Sequence, residues 1–443
     1  MTNHTDLTVA LAHAITHSLP DQAAIDAARL GVTDFIATAL PITQGAIADS
    51  GLTPLKQVFS ATDSLTNSLI LGYVGHALDF DDYHPAFRGH PSTVILPALF
   101  ALAAENPQIT EKAFLTAYVI GVEVAGRSGL ASGSRHYSLG YHTTATLGAI
   151  AAAAAAARLS GASVEQTQTI LGLAATQAAG LRAQFGSAVK PLHAGLAARA
   201  GLTAVKLGLA GFNGNTQQVL DAFLAAHGDQ KQQPELLIQS WGAPWRILSP
   251  GLEFKRYPTC GGTHSAAEAA FALREQWAEQ HDANASLADS IESITVTFPP
   301  GGDIAPFIRR AATGVEARFS LEYVIAAALL EGELQLTRFA EGPVDPKIAS
   351  LADKVQRIAD ETAPPDELDP DARFHEVTLF LRDGATLTSR VTRQETAAKP
   401  TDLGAKLKQN INALPHLDAE QILARCQLNT SGDLGVLLRL LLP

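Results

Sequence analysis

Apolar residues at helical spacing dominate the first 265 residues of the chain. Between residues 5 and 265 they recur every three or four positions, as in Leu71, Val74 and Leu78. This spacing places the apolar side chains on one face of an α-helix. Short segments with glycine and proline separate the helical stretches. The pattern predicts a large, all-helical domain over residues 1–266.

After about residue 285 the pattern changes to the alternation that is typical of strands. Residues 290–298 alternate as a half-buried strand does. Residues 374–381 and 385–391 flank Asp383-Gly384, which is a strong hairpin signal. Helical patterns at 319–330 and 346–358 lie between these strands, and 362–371 is a polar segment with prolines that predicts a surface loop. We therefore predict a smaller α+β domain over residues 267–402.

The last segment is helical again. Residues 403–412 and 418–424 have helical patterns. We expect residues 403–443 to return to the first domain. The fold class predicted for the whole chain is mainly α, with a large helical domain and a smaller α+β domain.

Composition agrees with closely packed helices and narrows the partners. Hydrophobic residues make up 47% of the 443 residues, aromatic residues only 6%, and alanine is frequent. Small side chains allow helix backbones to approach each other. The net charge of −12 disfavours nucleic-acid binding, because an acidic surface repels phosphate groups. A small anionic substrate would need a locally basic pocket.

The two cysteines exclude several site types. Cys260 and Cys426 cannot supply the three or four thiolates of an iron–sulfur cluster or a structural zinc site. They also exclude a disulfide framework, which favours a reducing compartment. The sequence has no secretory leader pattern, and its longest apolar run, near residues 148–157, is too short to span a bilayer. We expect a soluble, cytoplasmic protein without membrane contact.

Four segments place a histidine or lysine near the predicted start of a helix. The first runs from His76 through Asp79, Asp81 and Asp82 to His90-Pro91, with Pro91 at the first helical position. Such a density of titratable groups is typical of proton-transfer sites. Two alternatives remain: a solvated capped turn, and a metal site with His76, Asp79 and His84 as ligands.

The second and third segments have the same design. In Gly140-Tyr141-His142, Thr143 or Thr144 can cap the helix and leave His142 at its positive end. In the third, Pro191 marks the first turn and Lys190 lies immediately outside it, which suits an anion. The alternatives are a structural histidine beside a cap and an ordinary exposed lysine.

The fourth segment combines two cations, a thiol and a histidine on a glycine-bearing loop. These are Lys255, Arg256, Cys260 and His264, and Ser265 with Glu268 matches a capping box. An ordinary surface loop is the alternative. Together the four segments predict one pocket that has cations for substrate carboxylates and groups that move protons. None of them matches a phosphate loop, a dinucleotide fingerprint or a nucleophile elbow.

At these segments the sequence resembles the MmgE/PrpD family, whose activities include 2-methylcitrate dehydratase, cis-aconitate decarboxylase and iminodisuccinate epimerase. The resemblance covers essentially the whole chain. The segments that carry it are His76-Ala-Leu-Asp79-Phe-Asp81-Asp82 through His90-Pro91-Ser92, Gly140-Tyr141-His142, Lys190-Pro-Leu-His193-Ala-Gly195, Lys255-Arg-Tyr-Pro258 through His264, and Arg318-Phe319-Ser320-Leu321-Glu322-Tyr323. It implies that the α+β domain is a lid over an active site in the cleft, that the protein is a homodimer, and that catalysis uses no metal or other cofactor.

The resemblance also suggests roles for individual residues. Asp79, His90, His142, Lys190 and Lys255 correspond by position to the family's active-site residues. Two positions depart from the decarboxylase pattern: Tyr83 replaces a threonine and Cys260 replaces a second functional histidine. We predict the following catalytic residues: Asp79, His90, His142 and Cys260. We predict the following substrate-binding residues: Tyr83, Tyr141, Lys190, Lys255, Arg256 and His264.

The resulting hypothesis is an enzyme that removes a proton next to a carboxylate of a small polycarboxylate. His142 or His90 is the expected base, oriented by Asp79, and the other histidine or Cys260 delivers a proton. A dehydratase of the 2-methylcitrate type is our first interpretation, and an epimerase or a decarboxylase is the alternative. Outside the family, a metal-dependent hydrolase and a non-catalytic helical binding protein remain open.

Overall fold

A computed structural model describes residues 6–228, 232–282 and 285–442. Helices α1–α10 are Leu7–His17, Gln22–Thr43, Leu52–Val58, Ser64–His76, Ser92–Glu105, Glu111–Ser138, Thr143–Leu159, Val164–Ala175, Val189–Leu209 and Val219–His227. Helices α11–α19 are His264–Ala278, Leu287–Ser290, Gly314–Ala317, Leu321–Glu331, Pro346–Ala352, Arg393–Ala398, Leu403–Asn410, Ala419–Cys426 and Asp433–Leu441. Strands β1–β4 are Ile291–Phe298, Val355–Ala359, Phe374–Leu381 and Thr386–Thr392. The structure confirms a mainly α protein with a smaller α+β part.

Helix α7 lies at the centre of the helical core. Its seven consecutive alanines, residues 151–157, are all buried. A Cβ added to Gly121 of α6 would lie 2.9 Å from the Cβ of Ala155, and one added to Gly201 of α9 would lie 2.7 Å from the Cβ of Ala152. Neighbouring helices therefore pack against α7 at distances that larger side chains would prevent.

Helices α4 and α9 cross at a pair of glycines. A Cβ added to Gly72 of α4 would lie 2.7 Å from the Cα of Gly195 on α9. The crossing needs glycine on both helices because a methyl group has no room there. It brings the end of α4, at His76, next to the first turn of α9, which contains Lys190. The helix packing thus positions two buried polar side chains.

The smaller core is built on a four-stranded sheet in the order β2-β1-β3-β4. Strand β1 is parallel to β2 and antiparallel to β3, and β3 and β4 form the predicted hairpin. Helices α11 and α14 pack together, and α11 also covers β3 and β4. The inward-facing residues of β1, among them Ile294 and Val296, are fully buried in this core.

The helix predicted at 346–358 was wrong beyond residue 352. Helix α15 ends there, and residues Val355–Ala359 form the edge strand β2, with Val355 paired to Ile294. Val355 and Ile358 are three positions apart, a spacing that a helix and a short strand can both accommodate. Pairing with β1 decided the outcome, because local propensity yields to tertiary contacts.

The C-terminal helices pack on the helical core. Leu407 of α17 and Leu437 of α19 are fully buried within it, and Lys406 pairs with Asp34 of α2 at 2.6 Å. The domain boundaries at 266/267 and 402/403 stay predictions. In the described part of the chain, no helix combines the length and apolar character that crossing a bilayer requires.

Candidate active site

A cavity of about 260 Å³ is lined by residues of both cores. Nine of the ten predicted site residues line it: Asp79, Tyr83, His90, His142, Lys190, Lys255, Arg256, Cys260 and His264. Segments that lie up to 185 residues apart in sequence, from Asp79 to His264, therefore converge on one space. A cavity near the small end of the usual range suits a small ligand.

Tyr141 is the predicted site residue that the structure places elsewhere. Its ring stacks on His136 with 4.6 Å between ring centroids, and its backbone pairs with Leu181. The tyrosine therefore supports the loop in front of α7 and is not part of the cavity wall. Tyr141 was predicted to line the site because it precedes His142 in the sequence. Successive side chains point in different directions, so a neighbour of a cavity residue need not line the cavity itself.

Asp79 joins the two lysines at the inner end of the cavity. Helix α4 ends at His76, so Asp79 lies in the turn beyond it, with a φ of 50°. Its Oδ1 accepts hydrogen bonds from Lys190 Nζ at 2.6 Å and Lys255 Nζ at 2.8 Å. Aspartate tolerates this left-handed backbone better than most residues, and such backbone is frequent at functional sites.

The charged groups of Asp79, Lys190 and Lys255 shift one another's pKa values. Burial alone would raise the pKa of Asp79, but the ammonium groups of Lys190 and Lys255 hold it well below its ordinary value. The pKa of Lys190 is lowered by burial, although the charge of Asp79 acts against this shift. The pKa of Lys255 is raised, because the charges of Asp79 and Asp81 outweigh the effect of its burial. The carboxylate of Asp79 thus pairs with both ammonium groups, whose remaining N–H donors suit an anionic ligand.

Lys190 lies inside α9, as the second residue of the helix, and not outside it as the sequence predicted. Its side chain is 4% exposed. The rings of Phe185 and Phe319 lie 5.3 and 5.5 Å from its Nζ, within the range of cation–π contacts. The position is still at the positive end of the helix, where an anion is stabilised.

His142 is itself the residue that precedes α7. Neither Thr143 nor Thr144 caps the helix as predicted, because the Thr143 hydroxyl donates to the carbonyl of Arg88 and Thr144 Oγ1 accepts from the backbone N–H of His90. The Nδ1 atoms of His142 and His193 lie 3.1 Å apart. Burial and the charge of Lys190 hold the pKa of His142 well below its ordinary value. The imidazole is therefore neutral, which is the form that a general base requires.

His90 is oriented by the chain segment around it, and not by Asp79 as expected. Its Nδ1 lies 2.7 Å from the carbonyl oxygen of Asp82 and 3.3 Å from Asp81 Oδ2. Burial lowers the pKa of His90. With Nδ1 occupied, Nε2 is the nitrogen left to act in the cavity. Asp81 belongs to the dense cluster of titratable residues that the sequence shows between His76 and His90. The spacing of these residues does not show which carboxylate contacts which histidine ring.

The segment that carries Cys260 faces the same space from the second core. Cys260 packs with Phe185 and Phe319, and burial raises the pKa of its thiol. His264 Nε2 lies 3.3 Å from the carbonyl oxygen of Thr259, and burial lowers the pKa of this histidine to about 3. The thiol thus holds its proton, and the imidazole of His264 is neutral.

The predicted capping box of Ser265 and Glu268 was wrong. Helix α11 begins at His264, and no side chain caps it. Glu268 instead accepts a hydrogen bond from the Tyr257 hydroxyl at 2.7 Å and forms ion pairs with Arg256 and Lys399. Arg256 is therefore held at the cavity wall by an ion pair with Glu268, a carboxylate that it shares with Lys399.

Three arginines at the outer end of the cavity were missed. Arg88 and Arg373 pair with Asp366 at 3.3 and 3.2 Å, and Arg393 pairs with Glu253 at 2.6 Å. Asp366 is 4% exposed, so the segment 362–371 is not wholly the surface loop that its polar composition predicted. No sequence motif marks these arginines, because ion pairs between distant segments leave no local pattern.

Comparison with known proteins identifies the family. Residues 2–232 match the MmgE/PrpD N-terminal domain and residues 257–429 match the MmgE/PrpD C-terminal domain. The chain belongs to the MmgE/PrpD family. The resemblance seen in the sequence motifs is therefore confirmed.

Curated relatives of this MmgE/PrpD protein are cis-aconitate decarboxylases. Those of Mus musculus and Homo sapiens are each 32% identical to it over 73% of this chain. The match spans 66% of the length of each mammalian relative, just under two thirds. A cis-aconitate decarboxylase-like protein of Aspergillus oryzae is 29% identical over 84% of this chain and 81% of its own length.

The proposed metal ligands do not fit a cation well. His84, one of the three considered, binds the carbonyl oxygen of Arg246 at 3.0 Å. A different set, His76, Asp79, Asp81 and His90, has ligand atoms within 4.8 Å of one another in the described residues. However, His76 Nε2 and Asp79 Oδ1 already accept from lysine ammonium groups. A dication there would meet two buried positive charges, which repel it.

Proposed function

We propose that this MmgE/PrpD protein is a cofactor-independent lyase that removes a proton next to a carboxylate of a small polycarboxylate. The observation that carries the proposal is the inner end of the cavity, where Lys190 and Lys255 meet at Asp79 beside the neutral imidazoles of His142 and His90. Two buried ammonium groups hold substrate carboxylates, and a neutral imidazole accepts a carbon-bound proton.

The buried ammonium groups stabilise the negative charge that forms when the carbon-bound proton leaves. Loss of a proton next to a carboxylate builds negative charge on an enolate-like group. Fixed cations in a site shielded from water stabilise that charge without having to reorganise. Lys190 and Lys255 are already held in place by Asp79, so their orientation does not depend on the substrate.

An acid and a base together favour dehydration as the reaction. Dehydration needs a base for the carbon-bound proton and an acid for the departing hydroxyl, whereas decarboxylation needs only a proton donor to carbon. His142 supplies a neutral base, and Cys260 supplies a protonated thiol in the same cavity. Tyr83, the other departure from the decarboxylase pattern, also lines the cavity. These features support a dehydratase of the 2-methylcitrate type.

The second candidate is decarboxylation of cis-aconitate, which the names of the curated relatives favour. Both candidates use the same lysines to bind carboxylates, so the site does not separate them by charge. The two reactions differ in whether a proton is removed from carbon. Dehydration requires removal of a carbon-bound proton, whereas decarboxylation does not.

The test is incubation of the protein with 2-methylcitrate, cis-aconitate and iminodisuccinate in deuterated water, with products followed by NMR. We expect an alkene from the hydroxy acid. Release of carbon dioxide from cis-aconitate would instead establish the decarboxylase, and deuterium incorporation with inversion would establish an epimerase. Turnover that a chelator abolishes, or no turnover of any of the three, would contradict the proposal.

A further inference from the structure

A line of hydrogen bonds connects a buried carboxylate to a cavity lysine. Asp81 Oδ2 lies 2.8 Å from His76 Nδ1, and His76 Nε2 lies 2.9 Å from Lys190 Nζ. The side chains of Asp81, His76 and Lys190 are 1%, 0% and 4% exposed. Neither His76 nor Asp81 lines the cavity, so neither contacts a ligand there directly.

The chemistry of the donors fixes the proton positions along this line. An ammonium group has donors only, so His76 Nε2 accepts from Lys190 and carries no proton. The proton of the neutral ring is then on Nδ1, which donates to Asp81. Burial lowers the pKa of His76 to about 3, in agreement with a neutral ring. Only one tautomer satisfies both hydrogen bonds.

Lys190 has one hydrogen left for a ligand. Of its three N–H donors, one binds His76 and one binds Asp79, and the described residues include no hydrogen-bond acceptor for the third. We propose that His76 and Asp81 are positioning residues that hold Lys190 so that its third N–H meets a substrate carboxylate. This inference rests on the proposed function, because it assumes a carboxylate ligand in the cavity.

Asp81 also contacts a second imidazole, that of His90. Its Oδ2 lies 3.3 Å from His90 Nδ1, which also contacts the carbonyl oxygen of Asp82. The ring centroids of His76 and His90 are 4.5 Å apart, and the Nδ1 atoms of both rings contact Asp81 Oδ2. Asp81 therefore accepts from the ring that supports Lys190 and, together with the carbonyl oxygen of Asp82, from the ring that faces the cavity.

Nitrogen NMR of protein labelled with ¹⁵N-histidine tests the tautomers without any need for activity. We expect His76 and His90 both to be neutral and protonated at Nδ1, with their signals assigned from the spectra of H76Q and H90Q. In D81N we expect His76 to keep this tautomer, because the oxygen of the introduced amide still accepts from Nδ1 and Lys190 still requires Nε2 to be an acceptor. A His76 ring that is protonated at Nε2, or doubly protonated, in the unaltered protein would overturn the proposal.

Kinetics test whether the tautomer matters. H76L removes the acceptor for Lys190, and we expect kcat/KM to fall about ten- to hundredfold, as when an outer partner of a binding residue is lost. H76Q keeps an acceptor oxygen near the position of Nε2 and should recover most of that loss. H84Q is the matched control, because His84 is equally buried in the same segment but binds the backbone of Arg246 outside the cavity. We expect it to keep kcat/KM.

A purely structural role makes the opposite prediction. It requires equal losses in H76L and H76Q, or a loss in H84Q as large as that in H76L, and either result would reject the positioning role. If the unaltered protein turns over none of the three polycarboxylates, the proposed function fails by itself. The NMR experiment then still decides whether both rings are neutral and protonated at Nδ1, as the hydrogen bonds of His76 and His90 require.

Discussion

The two ends of the cavity hold charge in different ways. At the inner end, the single carboxylate of Asp79 faces two ammonium groups, and the side chains of Lys190 and Lys255 are only 4% and 5% exposed. At the outer end, Arg88 and Arg373 share the carboxylate of Asp366 and Arg393 pairs with Glu253; the side chains of Arg88 and Arg393 are 13% and 15% exposed. Solvent therefore screens the inner ammonium groups less than the outer guanidinium groups, and the inner cations act more strongly on a bound anion. We therefore expect catalysis at the inner end, whereas outer ion pairs such as Arg88–Asp366 connect the two cores.

Acid should destabilise the fold through buried histidines at the inner end and elsewhere in the molecule. Five buried histidines have pKa values lowered to about 3 or 4: His76, His84, His136, His264 and His375. A histidine with a folded-state pKa below its unfolded value of ~6.5 binds fewer protons when folded, so its contribution is present above pH ~6.5 and is lost as the pH falls. Each costs about 1.4 kcal/mol per pH unit in that range.

We expect these five histidines together to destabilise the folded protein strongly in mild acid. Their summed cost reaches the usual total stability of about 5–15 kcal/mol within roughly two pH units. Raised pKa values of Asp34 and Asp82 partly offset it, and Asp79 and Asp81 contribute only below their ordinary pKa. We expect the melting temperature to be constant above pH 7 and to fall steeply below pH 6. A melting temperature that does not change between pH 7 and pH 4.5 would contradict the neutral, buried state of these rings.

Replacement of His142 by alanine should cause the largest loss of activity that leaves the fold intact. Removal of a general base typically costs about 10²- to 10⁴-fold in turnover. The side chain caps no helix and has one hydrogen-bond partner, His193, so we expect the melting temperature to change little. Steady-state kinetics and circular dichroism of H142A measure both effects. Near-normal turnover would remove His142 from the mechanism.

Replacement of Asp79 by asparagine should disturb the inner end without removing a base. Asparagine suits the left-handed backbone of this position, and the substitution leaves two ammonium groups facing each other. The pKa of both lysines then falls, because Asp79 raises it in each. We expect kcat/KM to fall by about two orders of magnitude and its alkaline limb to move to lower pH. An unchanged alkaline limb would show that the lysine charges do not limit the reaction.

The sequence predicted the inner end far better than the outer end. His142, Lys190 and Lys255 stand beside helix starts or in a motif with glycine and cysteine, and these local signals carry chemical meaning. The residues that orient these side chains could not be predicted from local sequence patterns. His76 and Lys190 are 114 residues apart, and only the glycine crossing of α4 and α9 brings them together.

The same limit applies to the fold. Strands β1, β3 and β4 have alternating patterns or a hairpin signal, and the sequence placed them within one or two residues. Strand β2 is short and lies at the edge of the sheet, and its residues fit a helix equally well until they pair with β1. Local patterns therefore predict most elements, whereas long-range pairing decides ambiguous segments and the outer ion pairs.

Replacement of Arg393 by methionine should have the smallest effect, and it tests the comparison directly. Arg393 pairs with Glu253 and with Asp371, which is 66% exposed in its side chain, so solvent screens part of the interaction. Ion pairs of this kind contribute about 0–1 kcal/mol. Methionine keeps much of the unbranched apolar stem, so we expect kcat/KM to change less than tenfold and the melting temperature to fall by only a few degrees. Matched K255M should lose far more activity, because Lys255 belongs to the inner end. Equal losses in R393M and K255M would show that the outer arginines bind the substrate too, and the division between the two ends would then be wrong.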